Sequence, residues 1–157
     1  MAVIPFRRKQ QRRPCVLISG LGIAGPTLAW WLRQAGFSVT VVERAPAPRK
    51  DGYMLDFWGA GYDVAEKMGL IDVLRSNSYC IDEVRFVNAY GETTGGLDLQ
   101  PIRSLLDDRF FSILRGALAR TLYGCTADDA ELILGDTVTC IEQRAGGVRV
   151  EFERSRT

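Results

Sequence analysis

Apolar residues change rhythm several times in the first third of this chain. Between Cys15 and Leu32 it reads CVLISGLGIAGPTLAWWL, without a charge. The opening triplet Val16, Leu17 and Ile18 is wholly apolar, the pattern of a strand covered on both faces in a parallel sheet. The period then lengthens. Leu28, Ala29 and Leu32 share one stripe and predict a helix over Ala24–Gln34, with Gly36 placed as its C-terminal stop. Val39, Val41 and Val42 restore a β-branched run and predict a second strand ending at Glu43. Strand, helix and strand in this order make a complete βαβ unit.

Beyond Glu43 the pattern is looser. Tyr62, Val64, Ala65 and Met68, followed by Gly69, predict a short helix and its stop, and Ile71 to Leu74 add a further turn. Residues 83–90 and 94–99, joined through Gly91-Glu92, read as a hairpin. A helix is predicted over 114–123 and strands over 130–134, 138–143 and 148–152, with Ala145-Gly146-Gly147 turning between the last two. Phe57, Trp58 and Tyr62 are predicted to pack in the core.

Composition narrows the picture by exclusion. A hydrophobic fraction of 46% with 25% charged residues is that of an ordinary globular chain, and 157 residues fit about one domain. The net charge of +1 gives no field that argues for nucleic acid. Arg7, Arg8, Lys9, Arg12 and Arg13 precede the first apolar run, so residues 1–14 read as a basic, disordered leader and the remainder is net acidic. There is no histidine, which excludes Ser-His-Asp and Cys-His hydrolases and any zinc site that needs an imidazole. Cys15, Cys80, Cys125 and Cys140 form no CxxC pair, so they read as isolated thiols in a reducing, cytoplasmic compartment, with no metal site. The uncharged run after a basic cluster has the outline of a membrane anchor or export signal. Gly20, Gly22, Gly25 and Pro26 interrupt it, and their spacing has a better explanation.

That explanation is Gly20-Leu21-Gly22-Ile23-Ala24-Gly25, a GxGxxG set between a predicted strand and a predicted helix. Gly20 permits the tight turn out of the strand, Gly22 lets backbone approach a pyrophosphate, and Gly25 lets helix and strand pack closely. The helix N-terminus offers N–H groups and partial positive charge to phosphates. Glu43, at the end of the second strand, can accept hydrogen bonds from both ribose hydroxyls of an adenosine. Its charge repels a 2′-phosphate, so the expected ligand is FAD or NAD(H), not NADP(H).

The chain also resembles the class A flavin-dependent monooxygenases, the group that includes para-hydroxybenzoate hydroxylase and the tetracycline-inactivating monooxygenases. The resemblance rests on VLISGLGIAGPTLAWWLRQAGFSVTVVERAP with its Glu43-Arg44 pair, on PRKDGYMLDFWGAGYDVAEKMGLIDVL, and on ILRGALARTLY. It implies an α/β fold: a Rossmann-like GxGxxG FAD-binding domain with part of the inserted β-rich substrate region, truncated. On this expectation residues 15–157 are the N-terminal part of an FAD-binding domain. The family's later Asp-Gly and Gly-Asp stretches are not found in their expected context.

By the same resemblance Glu43 binds the FAD ribose and Arg44 lies against the adenine end. Arg49 contacts the flavin side or a reduced nicotinamide donor, Asp56 lies near the cofactor, and Arg115 reaches the phosphate–ribose region. The implied activity is that of a hydroxylase. NAD(P)H, a transient donor, reduces FAD, O2 adds to the reduced flavin, and the hydroperoxide oxygenates a small organic substrate. No residue of this segment is expected to be catalytic, and neither nucleic acid nor membrane is an expected partner. Alternatives stand beside each assignment. Arg44 and Arg49 can be solvated loop cations, Asp56 the N-cap of a helix over 57–68, and Arg115 a surface residue of its helix. Phe57, Trp58 or Tyr62 can contact the flavin ring. The whole can be a related FAD oxidase, halogenase or reductase, or a non-catalytic nucleotide-binding remnant.

Overall fold

In the computed structural model, which describes residues 13–48, 52–127 and 130–154, the apolar triplet at Val16 lies within β1 (Cys15–Ser19). The helix α1 (Ala24–Gln34) and strand β2 (Ser38–Glu43) follow as the βαβ pattern predicts. Gly36 adopts φ +86°, and the amides of Gly36 and Phe37 donate to the carbonyls of Arg33 and Leu32. That pairing closes the helix in a Schellman motif, which only a residue tolerant of positive φ can complete cheaply.

The described residues divide into two compact units, 13–47 with 125–127 and 130–154, and 48 with 52–124. The first is built on a parallel sheet of order β1-β2-β8, where β8 is Glu131–Leu134. β2 pairs in parallel on both sides, with Val41 opposite Ile18 and Leu132. Val39, Val41 and Val42 are buried with Ile18, Ala29 and Ile133, the burial expected of a central parallel strand. β9 (Val138–Arg144) and β10 (Gly147–Phe152) form an antiparallel hairpin, as the glycine turn predicts.

The second unit holds β3 (Met54–Phe57), α2 (Gly59–Lys67), α3 (Ile71–Ser76), β4 (Ser78–Tyr79), β5 (Glu83–Val87), β6 (Thr93–Asp98), α4 (Gln100–Leu105) and β7 (Phe111–Leu114). The helix α5 (Arg115–Ala127) begins here, and its last residues belong to the first unit. β7 is the centre of an antiparallel sheet of order β3-β7-β4. Phe111, Ser112 and Ile113 are all buried, so this central strand shows a continuous buried run rather than an alternation. β5 and β6 form the predicted hairpin.

Two expectations need correction. Residues 54–57 are a strand, so the helix starts at Gly59 with Trp58 as its N-cap, and Asp56 does not cap it. Met54, Leu55 and Phe57 sit opposite Leu114, Ile113 and Phe111, a non-local apolar pairing that outweighs the local capping pattern. Trp58 is 56% exposed rather than packed in the core, whereas Tyr62 is buried and its ring lies 6.0 Å from that of Phe111. The basic residues up to Arg12 lie outside the described residues.

Candidate functional site

Gly20, Gly22, Gly25, Glu43 and Arg44 all belong to the first unit, gathered at the end of β1 and β2 where α1 begins. Gly20 has φ +111°, a conformation that side chains rarely adopt, and its amide donates to the Val42 carbonyl at 2.7 Å. Gly25 answers to a different constraint. A Cβ there would stand 1.9 Å from the Gly20 carbonyl oxygen, so the first turn of the helix runs directly against the turn leaving the strand. Its absence of a side chain permits this approach, the role the motif assigns to it.

The N-terminus of α1 has no side-chain cap and no acidic residue in its first turn. Helix-terminal N–H groups that lack such partners suit an anion brought from outside. Glu43 lies beside this loop. Its Oε2 accepts from the Leu21 amide at 2.8 Å and its Oε1 from the Ala45 amide at 2.9 Å. The carboxylate is thereby fixed between the glycine loop and the chain leaving β2, by two charge-assisted bonds. Arg44, the next residue, is exposed.

The other side of Glu43 is held by a segment that the sequence pattern did not single out. The amide of Asp136 donates to the Glu43 carbonyl at 3.1 Å, and that of Gly135 to the Ala45 carbonyl at 3.0 Å. Asp136 is 3% exposed, and its Oδ1 accepts from the amides of Thr137 and Arg154. Gly135, at φ +71°, makes the turn possible. A Gly-Asp pair just after a predicted strand was the available signal.

Asp56 and Arg115 belong to the second unit, on adjoining strands. Asp56 lies opposite Ser112 in the β3–β7 pairing, and its Oδ1 accepts from the buried Ser112 hydroxyl at 2.7 Å. Arg115 opens α5 directly after β7, and its amide donates to the Tyr53 carbonyl at 3.0 Å. Leu118 and Leu122, three and seven positions further along the helix, are buried, and Arg115 is half-buried. Among the described residues its guanidinium has no hydrogen bond or ion pair. Gly52 presses close to it, since a Cβ at Gly52 would meet the Arg115 Cβ at 2.9 Å. Arg49 lies outside the described residues.

The second unit also contains an apolar concavity of about 600 Å³. Met54, Trp58, Leu97, Leu99 and Phe110 are among its walls, and Asp56 is the one charged residue that lines it. Among the described residues no group of histidine, cysteine or carboxylate side chains could hold a metal ion. No helix among them is long and apolar enough to cross a membrane.

No protein-family model matches the chain. It is similar to the FAD-dependent monooxygenase asL4 of Sarocladium schorii, 34% identical over 140 residues, which is 87% of this chain and 33% of that protein. A flavin-dependent monooxygenase of Legionella longbeachae is 33% identical over 141 residues, 90% of this chain and 36% of the relative. Among solved structures, the tetracycline destructase Tet(51) superposes with a TM-score of 0.76 at 31% identity, covering 92% of this chain and 36% of that one. Klebsiella pneumoniae HpxO, solved with FAD and uric acid, has the same fold at 22% identity, with a TM-score of 0.74. The chain thus spans about a third of the length of the proteins it matches.

Proposed function

Because this chain belongs to the class A FAD-dependent monooxygenase family, we propose that it is the FAD-anchoring part of a hydroxylase that uses NAD(P)H and O2 to oxygenate a small organic substrate. The observation that carries this reading is the Glu43 carboxylate, fixed 2.8 Å from the Leu21 amide beside an uncapped helix N-terminus. Those groups fit an ADP moiety: N–H donors for the pyrophosphate and a fixed acceptor for the ribose hydroxyls.

Residues 20–25 and the start of α1 hold the pyrophosphate, with Gly22 giving the backbone access. Glu43 holds the adenosine ribose and Arg44 lies at the adenine end. Arg115 supplies positive charge to the phosphate–ribose region, which suits a half-buried guanidinium with no partner among the described residues. Asp56 lies near the cofactor, and Arg49 serves the flavin side or the nicotinamide donor. FAD held by these residues would supply the redox chemistry of an oxygenation that draws on a nicotinamide donor and O2. The protein's own task is to bind, orient and exclude water. The apolar wall around Trp58, Leu99 and Phe110 suits that task for a small organic molecule. The four thiols fit the reducing cytoplasm.

The test is titration of FAD into the 157-residue chain, followed by quenching of flavin fluorescence, with ADP as competitor. The expected result is saturable binding that ADP displaces and that Glu43→Ala weakens about tenfold or more, the loss of a charged acceptor. A folded chain that binds neither nucleotide, or a Glu43→Ala variant of unchanged affinity, would overturn the assignment.

A further inference from the structure

The second unit holds a cluster of reactive side chains that flavin binding does not use. Arg103 of α4 is 9% exposed, and its Nη1 is directed at the Cys80 Sγ at 2.7 Å and at the Asp82 Oδ1 at 3.2 Å. Its Nε is buried with no hydrogen-bond partner among the described residues. A guanidinium carries five N–H donors, and withdrawing one this far from water is unfavourable unless acceptors meet it. One well-exposed carboxylate and a thiol meet only part of that demand.

Beside the cluster opens a pocket of about 270 Å³ lined by Arg103, Arg75, Cys80, Ser78 and Tyr79, with Asp108 as its one carboxylate. Arg75 is held in place, its Nη2 donating to the Tyr62 hydroxyl at 3.1 Å and to the Asp108 carbonyl at 2.5 Å. Two guanidinium groups and a sulfur therefore share one small concavity. Among the described residues no other cysteine lines this pocket. The Cys15 thiol donates to the Arg13 carbonyl, and Cys125 is half-buried.

We propose that Cys80 is a modification site, where the thiol exchanges with a small disulfide that carries carboxylate groups. Arg75 and Arg103 hold the carboxylates. The Cys80 proton is lost to water, and the Asp82 carboxylate, whose Oδ1 the thiol faces at 3.7 Å, holds the thiol in its protonated form and competes for Arg103. Sγ attacks the nearer sulfur of the disulfide, a new S–S bond forms, and the old one breaks. The departing half leaves as a thiolate with the bonding electron pair. Cys80 is oxidised to a mixed disulfide, and the small disulfide is the oxidant that is reduced. Arg103 stands where negative charge builds on the attacking sulfur and on the leaving thiolate, so it favours the step. This inference does not depend on flavin binding.

The test uses the full 157-residue chain with oxidised glutathione as the anionic disulfide and hydroxyethyl disulfide as the neutral one. Adducts at each cysteine are counted by peptide mass spectrometry over time. With oxidised glutathione, Cys80 should react at least about tenfold faster than the exposed Cys15 and Cys140, and that advantage should shrink with the neutral disulfide. Arg103→Gln should reduce Cys80 to the rate of the other two. Because Arg103 is buried, Asp82→Asn serves as a second variant at an exposed position. Removing the competing carboxylate leaves Arg103 to the sulfur and the ligand, so the rate with oxidised glutathione should rise a few-fold. Equal rates at Cys80, Cys15 and Cys140 in the parent chain would overturn the proposal. So would an unchanged or slower Cys80 in Asp82→Asn.

Discussion

Gly25→Ala gives the most direct test of the loop geometry. The added Cβ would be placed 1.9 Å from the Gly20 carbonyl oxygen and 3.1 Å from its carbon, and ordinary contact begins at about 3.4 Å. Relief requires the two to separate by about 1.5 Å. The obstructing atoms are backbone, and the Gly20 amide is itself tied to the Val42 carbonyl at 2.7 Å, so no side-chain rotation can absorb the overlap. Overpacking a core costs about 1–3 kcal/mol, and a backbone-to-backbone clash belongs at the upper end, about 3 kcal/mol. For a chain of this size each kcal/mol lowers Tm by about 2–4 °C, so the expected loss is about 6–12 °C. Circular dichroism during heating reads it. Gly36→Ala is the companion variant. It has φ +86° and nothing within 4 Å of the new Cβ, so it meets only the left-handed backbone penalty of about 1–2 kcal/mol. The ranking, with Gly25→Ala the more damaging, follows from contact rather than from glycine content. A Gly25→Ala chain melting within about 2 °C of the parent would refute the close-approach reasoning, as would a reversed ranking.

Further expectations follow from other sites. Glu43→Gln replaces one carboxylate oxygen by an NH2 that must face either the Leu21 or the Ala45 amide, donor against donor. Urea denaturation should register a loss of about 1–3 kcal/mol, and an unchanged midpoint would show that the two bonds contribute nothing net. Gly52→Ala places a Cβ 2.9 Å from that of Arg115. It should displace the arginine and weaken FAD in the same titration, whereas equal affinity would remove Arg115 from the binding set. Leu74→Ala empties a site that is 0% exposed, and should cost about 2–5 kcal/mol by denaturant titration. A cost under about 1 kcal/mol would mean the helix is not anchored there. Burial pushes the Cys125 thiol above its ordinary value of 9.0. A folded-state value raised in this way favours the fold below the unfolded value, and the contribution is lost as pH rises through the folded one. Stability should therefore fall at alkaline pH and fall less in Cys125→Ala, and parallel pH profiles for the two chains would contradict the burial argument.

The local parts of this architecture were legible in the sequence because each rests on neighbours in the chain. The stop at Gly36 depends on the residues just before it, and so does the second one at Gly69, where the Leu70 amide donates to the Ala65 carbonyl. The glycine loop and the acid at the end of β2 likewise belong to one continuous unit. What escaped was set by distant pairing. Leu55 and Asp56 become a strand only because Ile113 and Ser112 lie opposite them. The same pairing turns Asp56 from a plausible helix cap into a partner of a buried hydroxyl. Nothing between residues 52 and 58 announces β7, so a pattern read along the chain joined 57 and 58 to the following helix.

The setting of Glu43 carries the same lesson to the candidate site. From sequence, the acid is a single residue at a strand end. In the fold its side chain is held by the Leu21 and Ala45 amides, and its carbonyl by the Asp136 amide, more than ninety positions away. The third strand, β8, enters beside β2 with Leu134 opposite Glu43, and the turn that follows crosses back over the end of β2 through Gly135 and Asp136. Asp136 in turn takes the amides of Thr137 and Arg154, so the exit of β8 is itself fixed. A fixed carboxylate discriminates better than a mobile one, because the entropy of placing it is lost on folding rather than on binding. The βαβ unit supplies the groups that the proposed adenosine site needs, and their placement is fixed by a strand and turn contributed by a much later part of the chain.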